Sequence, residues 1–239
     1  MNPKSKYQNM SKETIIFLHG ALGSSKNFAD LHEICNGAFE CVLLDFPGHG
    51  NNEMEMECTI ENLSEYLIDF ISTHCKSPVS IFGYSMGGYI ALHALTQRPD
   101  LFNKVMTLAT KLNWNENEAA MQIAKLNAEK IEAKVPQFVN QLTSLHPAHH
   151  WKDVLQTTAN IIEKLGAAPP LHIDILGSLE HPICLGLGDQ DNMVSISETE
   201  NLFRQLQKGR MYLIPNMQHP IEKMKVHFVY EIMKDFFNC

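Results

Sequence analysis

The residues best suited to chemistry lie in Gly83-Tyr84-Ser85-Met86-Gly87-Gly88, which follows the apolar run Val79 to Phe82 and precedes a stretch containing Ala91, Leu92 and Leu95. A buried strand, a sharp turn and a helix in that order lift a serine oxygen above a sheet, and the flanking glycines leave room for strand and helix to approach. A hydroxyl becomes a competent nucleophile only when a base takes its proton, so the pattern demands a histidine and a carboxylate farther along the chain. Of twelve histidines, His219 stands in the right place, between the apolar run Arg210 to Ile214 and a closing helix. His32, His74, His93 and His227 read as surface or rim positions on helices. The loop after Pro182 to Leu187 offers Asp189 and Asp191; the G-x-x-D step selects Asp191 to accept the second ring proton, and Asp189 reads as solvated or loop-bracing. Backbone amides of Met86, at a helix N-terminus, and of Ala21, in the loop Leu18 to Ser24, are the expected donors to a developing oxyanion.

Positioning these groups requires parallel strands whose ends share one edge. Six short apolar runs supply them: Thr14 to Leu18, Cys41 to Asp45, Val79 to Phe82, Lys104 to Ala109, Pro182 to Leu187 and Arg210 to Ile214. Amphipathic segments alternate with the runs, which predicts an α/β fold with a doubly wound, mostly parallel sheet of about six strands. Thr59 caps a helix carrying Ile60, Leu63, Leu67 and Ile71; Gly88 to Gln97 gives a second; Ser197 with Glu200 forms a capping box ahead of Leu202; Ile221 to Phe237 closes the chain. The alternation breaks between 111 and 180, where helix formers dominate in Glu118 to Ala133, Val135 to Leu145 and Trp151 to Leu165. The spacing therefore predicts a core of residues 14–110 and 181–239, a helical cap (lid) of 111–180 over the ligand-binding edge, and a flexible lead-in of 1–13.

Composition bounds the partners. Hydrophobic residues make up 44% and charged residues 19%, the usage of a globular chain. A net charge of −8 without a basic cluster excludes a phosphate-tracking surface, so no nucleic acid is expected. The opening MNPKSKYQNMSK lacks the apolar core of a secretory signal, and no run approaches the roughly 20 apolar residues of a membrane span; no membrane association and a cytoplasmic location are the expectations. Six cysteines lack CxxC spacing and read as reduced and structural. His146, His149 and His150 lack a nearby carboxylate or cysteine and read as solvated cap surface, so neither metal nor cofactor is expected. Tyr84, Trp114 and Met193 are pocket candidates, Trp114 equally well a packing residue of the cap. The cap contains no arginine, which favours a small acyl substrate that is neutral or weakly polar.

From Thr14 onward the chain resembles the α/β-hydrolase superfamily, on LHGALGSS at 18–25, LDFPGHG at 44–50, GYSMGG at 83–88, GDQDNMV at 188–194 and IPNMQHPIE at 214–222. The resemblance implies a Ser-Asp-His triad, an oxyanion loop, a bracing Pro-Gly-His-Gly loop with a structural His49, and a helical lid. Two departures stand out: the segment before Thr14 is too short for an opening antiparallel hairpin, and Asn51 replaces a serine. A serine nucleophile argues against the carboxylate-using dehalogenase and epoxide-hydrolase branches. Hydrolysis of a small carboxylic ester is the leading expectation. Thioester or activated C–C bond cleavage, and ligand capture with little turnover, stay open.

Overall fold

The computed structural model describes residues 12–76 and 78–238. Six strands, β1 (Thr14–Leu18), β2 (Glu40–Leu44), β3 (Val79–Tyr84), β4 (Phe102–Leu108), β5 (Ile183–Gly188) and β6 (Gly209–Ile214), form one parallel sheet in the order β2-β1-β3-β4-β5-β6. The chain steps from β1 outward to β2, then returns past β1 to β3. The carboxyl ends of β1 and β3 therefore flank the point where the winding direction reverses, the place where such sheets bind ligands. Pairing of Leu18 with both Leu44 and Gly83, and of Leu108 with Gly186, brings those ends level.

Strand alternation divides the core into two layers. Ile16, Leu18, Ile81, Val105 and Leu185 face α2 (Ile60–His74) and α3 (Met86–Gln97). Ile15, Phe17, Phe82, Met106 and Cys184 face α1 (Ala29–Cys35) and α10 (Val226–Phe237). The Thr59 side chain accepts from the Asn62 amide at 3.1 Å and starts α2, whose Leu63, Leu67 and Ile71 are fully buried. From Met86 to Leu95, α3 is buried on every side, which explains its nearly uniform apolar sequence.

Residues 111–180 fold as α4 (Glu116–Ile123), α5 (Ala128–Lys134), α6 (Pro136–Leu145), α7 (Trp151–Ala167) and α8 (Ile173–Ser178). The single helix expected over Glu118 to Ala133 is two, because the Asn127 side chain accepts from the Lys130 amide at 2.8 Å and restarts the chain as α5. The capping serine of α9 (Ile196–Phe203) is Ser195, which accepts from the Glu198 amide; the Ser197 and Glu200 pair has the same spacing two residues later and lies inside the helix. The closing segment is a 3₁₀ turn, Ile221–Lys223, followed by α10, separated by extended backbone at Met224. Of the lead-in expected to be flexible, residues 1–11 lie outside the described residues. Glu13 is held, its carboxylate accepting from Ser80 Oγ at 2.5 Å and Asn103 Nδ2 at 2.7 Å. Cys35, Cys41, Cys58, Cys75 and Cys184 are free thiols; Cys239 lies outside the described residues. Among the described residues no helix is long and apolar enough to cross a membrane.

Candidate active site

Ser85 joins β3 to α3 with φ 50° and ψ −114°, a conformation that costs a non-glycine residue about 1–3 kcal/mol. Its surroundings hold it there: its amide donates to the Leu108 carbonyl at 2.9 Å, and its carbonyl accepts from Thr110 Oγ1 at 3.1 Å. The glycines exist for clearance. A Cβ on Gly87 would stand 2.2 Å from the Leu18 carbonyl oxygen, and one on Gly83 would stand 2.6 Å from the Gly88 Cα.

His219 hangs from the loop after β6, its Nε2 3.3 Å from Ser85 Oγ and its Nδ1 2.8 Å from Asp191 Oδ2. The carboxylate accepts a hydrogen bond from Nδ1–H, which leaves the Nε2 lone pair facing the serine. Burial would raise the Asp191 carboxyl, but the bond to His219 and the Val194 and Met193 amides outweigh it and hold the group below the usual range. Asp189 is exposed, and its amide serves only to tie the loop to the Ile214 carbonyl. The Gln190 amide reaches the Met217 carbonyl at 3.1 Å, so the loops bearing acid and base are stitched together. Tyr84 completes the clamp: its buried hydroxyl donates to the backbone carbonyl of His219, and burial keeps its proton on.

Opposite lies the loop after β1. Ala21 and Met86 both line the cavity above Ser85, and the Met86 amide, at the first position of α3, has no intrahelical acceptor. His19 anchors this loop: its Nδ1 donates to the Gly20 carbonyl at 2.9 Å and its Nε2 accepts from the Phe46 amide at 3.2 Å. That pairing requires a neutral ring, and burial pushes its pKa from 6.5 to about 4. Asp45 accepts from the Ser25 and Asn51 amides, joining the same loop to Pro47-Gly48-His49-Gly50.

His146 corrects the sequence reading of a solvated cap surface. It is fully buried, Nδ1 accepting from the Gly50 amide at 2.9 Å and Nε2 donating to the Leu22 carbonyl at 3.0 Å. One cap imidazole thus bridges both core loops, and His149 adds a 3.0 Å contact to the Asn52 carbonyl. The rings of His19, His49 and His146 pack at 5.1 and 5.7 Å. His93, expected at a rim, is also buried, with Nδ1 2.9 Å from Ser64 Oγ. The proline after His146, which breaks the helix there, was the available signal that its side chain leaves the cap surface. Tyr84 shares its strand face with Phe82, and that alternation was the signal for its place beneath the base loop.

The cavity over Ser85 holds about 330 Å³. Core loops supply Ala21, Ser85, Met86, Met193 and His219; the cap supplies an apolar wall that includes Leu126, Phe138 and Ile161. Tyr84, Trp114 and Met193 all line it, and Trp114 also packs against the core while its Nε1 donates to the Lys111 carbonyl.

Residues 13–157, more than half of the chain, match the family described as alpha/beta hydrolase fold. The chain belongs to this family. It is 31% identical over 106 residues to the uncharacterized hydrolase YugF of Bacillus subtilis, covering 44% of this chain and 39% of that protein. It is 33% identical over 99 residues to ethanol acetyltransferase 1 of Hanseniaspora uvarum, covering 41% and 30%. The matches thus span well under two thirds of the length of these relatives. The structure of NosK from Streptomyces actuosus superposes with a TM-score of 0.82 at 21% identity, covering 95% of this chain and 98% of that one, a likeness of fold.

Proposed function

We propose that this member of the alpha/beta hydrolase fold family is a serine hydrolase that cleaves a small carboxylic ester through an acyl-enzyme. The observation that carries the reading is the relay from Asp191 Oδ2 through His219 to Ser85 Oγ, at 2.8 and 3.3 Å, beneath a cavity lined by Ala21 and Met86. Ser85 Oγ attacks the ester carbonyl as His219 Nε2 takes its proton, and the Ala21 and Met86 amides receive the oxyanion. His219 returns the proton to the departing alkoxide, leaving the acyl group on Ser85. Water, activated by the same nitrogen, then releases the acid and restores the serine. Thioesters and activated C–C bonds would use the same attack. The proposed setting is the cytoplasm, with a small acyl substrate as partner.

A fluorophosphonate probe followed by intact-protein mass spectrometry should give one adduct on the wild type and none on Ser85→Ala, with turnover of short p-nitrophenyl esters lost in the same variant. Folded wild-type protein that takes no adduct overturns the reading in favour of ligand capture. The similarity to ethanol acetyltransferase 1 favours a second reading, acyl transfer to an alcohol, because an acyl-enzyme can be opened by either nucleophile. Ethanol added to the assay should then yield ethyl ester at the expense of free acid.

A further inference from the structure

The cap wall of the cavity carries polar groups that the acyl-transfer step does not use. Thr158, in α7, lines the cavity, is 1% exposed, and its Oγ1 has no partner among the described residues. A helical threonine ordinarily returns its hydroxyl to the carbonyl three or four residues back, and a buried hydroxyl left unpaired destabilises the fold. Gln122, on the packed helix α4, is also buried and lines the cavity. Its Oε1 accepts from Lys125 Nζ at 3.0 Å, which leaves its NH₂ as the group free to donate. Lys125 lines the cavity too, and no carboxylate among the described residues pairs with it. Lys111, by contrast, is neutralised by Glu118 at 3.1 Å and Glu198 at 3.8 Å. The cap side therefore offers three donors, an O–H, an N–H and an ammonium, set among Leu126, Phe138 and Ile161.

We infer that the substrate carries, remote from its scissile carbonyl, an oxygen that accepts hydrogen bonds, a ketone or carboxylate oxygen, received by Thr158 with Gln122 and Lys125. A plain alkanoyl chain would leave the buried Thr158 hydroxyl unanswered, whereas an acceptor on the chain satisfies it and meets the Gln122 and Lys125 donors beside it. This deepens the ester-hydrolase reading and rests on it for the identity of the site. It also refines the expectation of a neutral acyl group: a single lysine replaces the missing arginine as the available cation.

The test compares p-nitrophenyl hexanoate with p-nitrophenyl 5-oxohexanoate and with mono-p-nitrophenyl adipate. The wild type should prefer at least one oxygenated ester by about fivefold or more in kcat/KM, and Thr158→Val should bring the oxo ester close to parity with the hexanoate. A surviving adipate preference that is lost in Lys125→Met would assign the carboxylate, and a preference confined to the oxo ester the ketone. The Thr158→Val variant should melt at or above the wild-type temperature, since it removes an unpaired hydroxyl. Binding of the same three esters to Ser85→Ala, followed by calorimetry, separates the two readings. Discrimination there without turnover in the wild type would retire hydrolysis and keep the donor site. Turnover without discrimination, or discrimination that survives both Thr158→Val and Lys125→Met, would overturn the donor site and keep hydrolysis.

Discussion

For the proposed hydrolysis Asp191 is the residue whose loss is most diagnostic, because its carboxylate bonds to His219 and not to Ser85, and so would act only through the histidine. Its carboxylate is 1% exposed and accepts hydrogen bonds from the ring Nδ1–H and from two backbone amides. Asp191→Asn preserves the shape but offers a donor where an acceptor is needed, which fixes the wrong tautomer; kcat should fall by about 10³–10⁴-fold with little change in KM in steady-state ester assays. Tyr84→Phe should be milder, lowering kcat by about five- to tenfold while the Ser85 adduct still forms, because it removes one neutral hydrogen bond to the His219 backbone. Ser85, Asp191 and His219 were legible in the sequence because each sits just past a strand whose apolar run marks it. The contacts of Tyr84 and His146 and the burial of Thr158 were legible only in part, since each depends on which loop or helix lies across from it.

The elements divide in the same way. Strand positions and α2 follow from apolar period and an N-terminal threonine, whereas the split of α4 from α5 and the start of α9 turned on which of several capping side chains engages. Element packing also places a charge that sequence reasoning passed over. Glu198, in the first turn of α9, is buried and collects the Leu112 amide at 2.5 Å and the Asn113 amide at 2.7 Å, where the chain leaves β4 for the cap. Glu198→Ala should strand both amides while Lys111 keeps Glu118, and cost roughly 2–4 kcal/mol by urea denaturation. Thr59→Ala, which removes only the α2 cap, should cost about 1 kcal/mol in the same measurement.

At the scale of the whole molecule, the three packed imidazoles make the junction of core and cap sensitive to acid. His19, His49 and His146 are all held below their ordinary pKa, burial being the leading cause, with mutual repulsion adding to it; Gly20, Pro47 and Leu22 carbonyls and Asp45 offset part of this. His149 and Lys26 face the same group and oppose protonation of His146. The folded rings stay neutral while the unfolded chain protonates near pH 6.5, so the unfolded state binds more protons and stability falls as pH drops from about 6.5 toward 4. For His19 alone the interval from 6.5 to about 4 corresponds to about 3 kcal/mol. Urea midpoints measured between pH 7.5 and 4.5 should fall accordingly, and less steeply in His146→Gln; a flat profile would refute the assignment. The two bonds of His146 carry a further meaning for how such proteins diversify. A different cap, grafted between residues 110 and 181 to change substrate choice, would have to supply its own side chain to hold Leu22 and Gly50 as His146 does. If the proposed hydrolysis holds, grafts that bring a ring of the same reach at that point should keep their turnover, and grafts that do not should bind the new ligand yet turn over slowly.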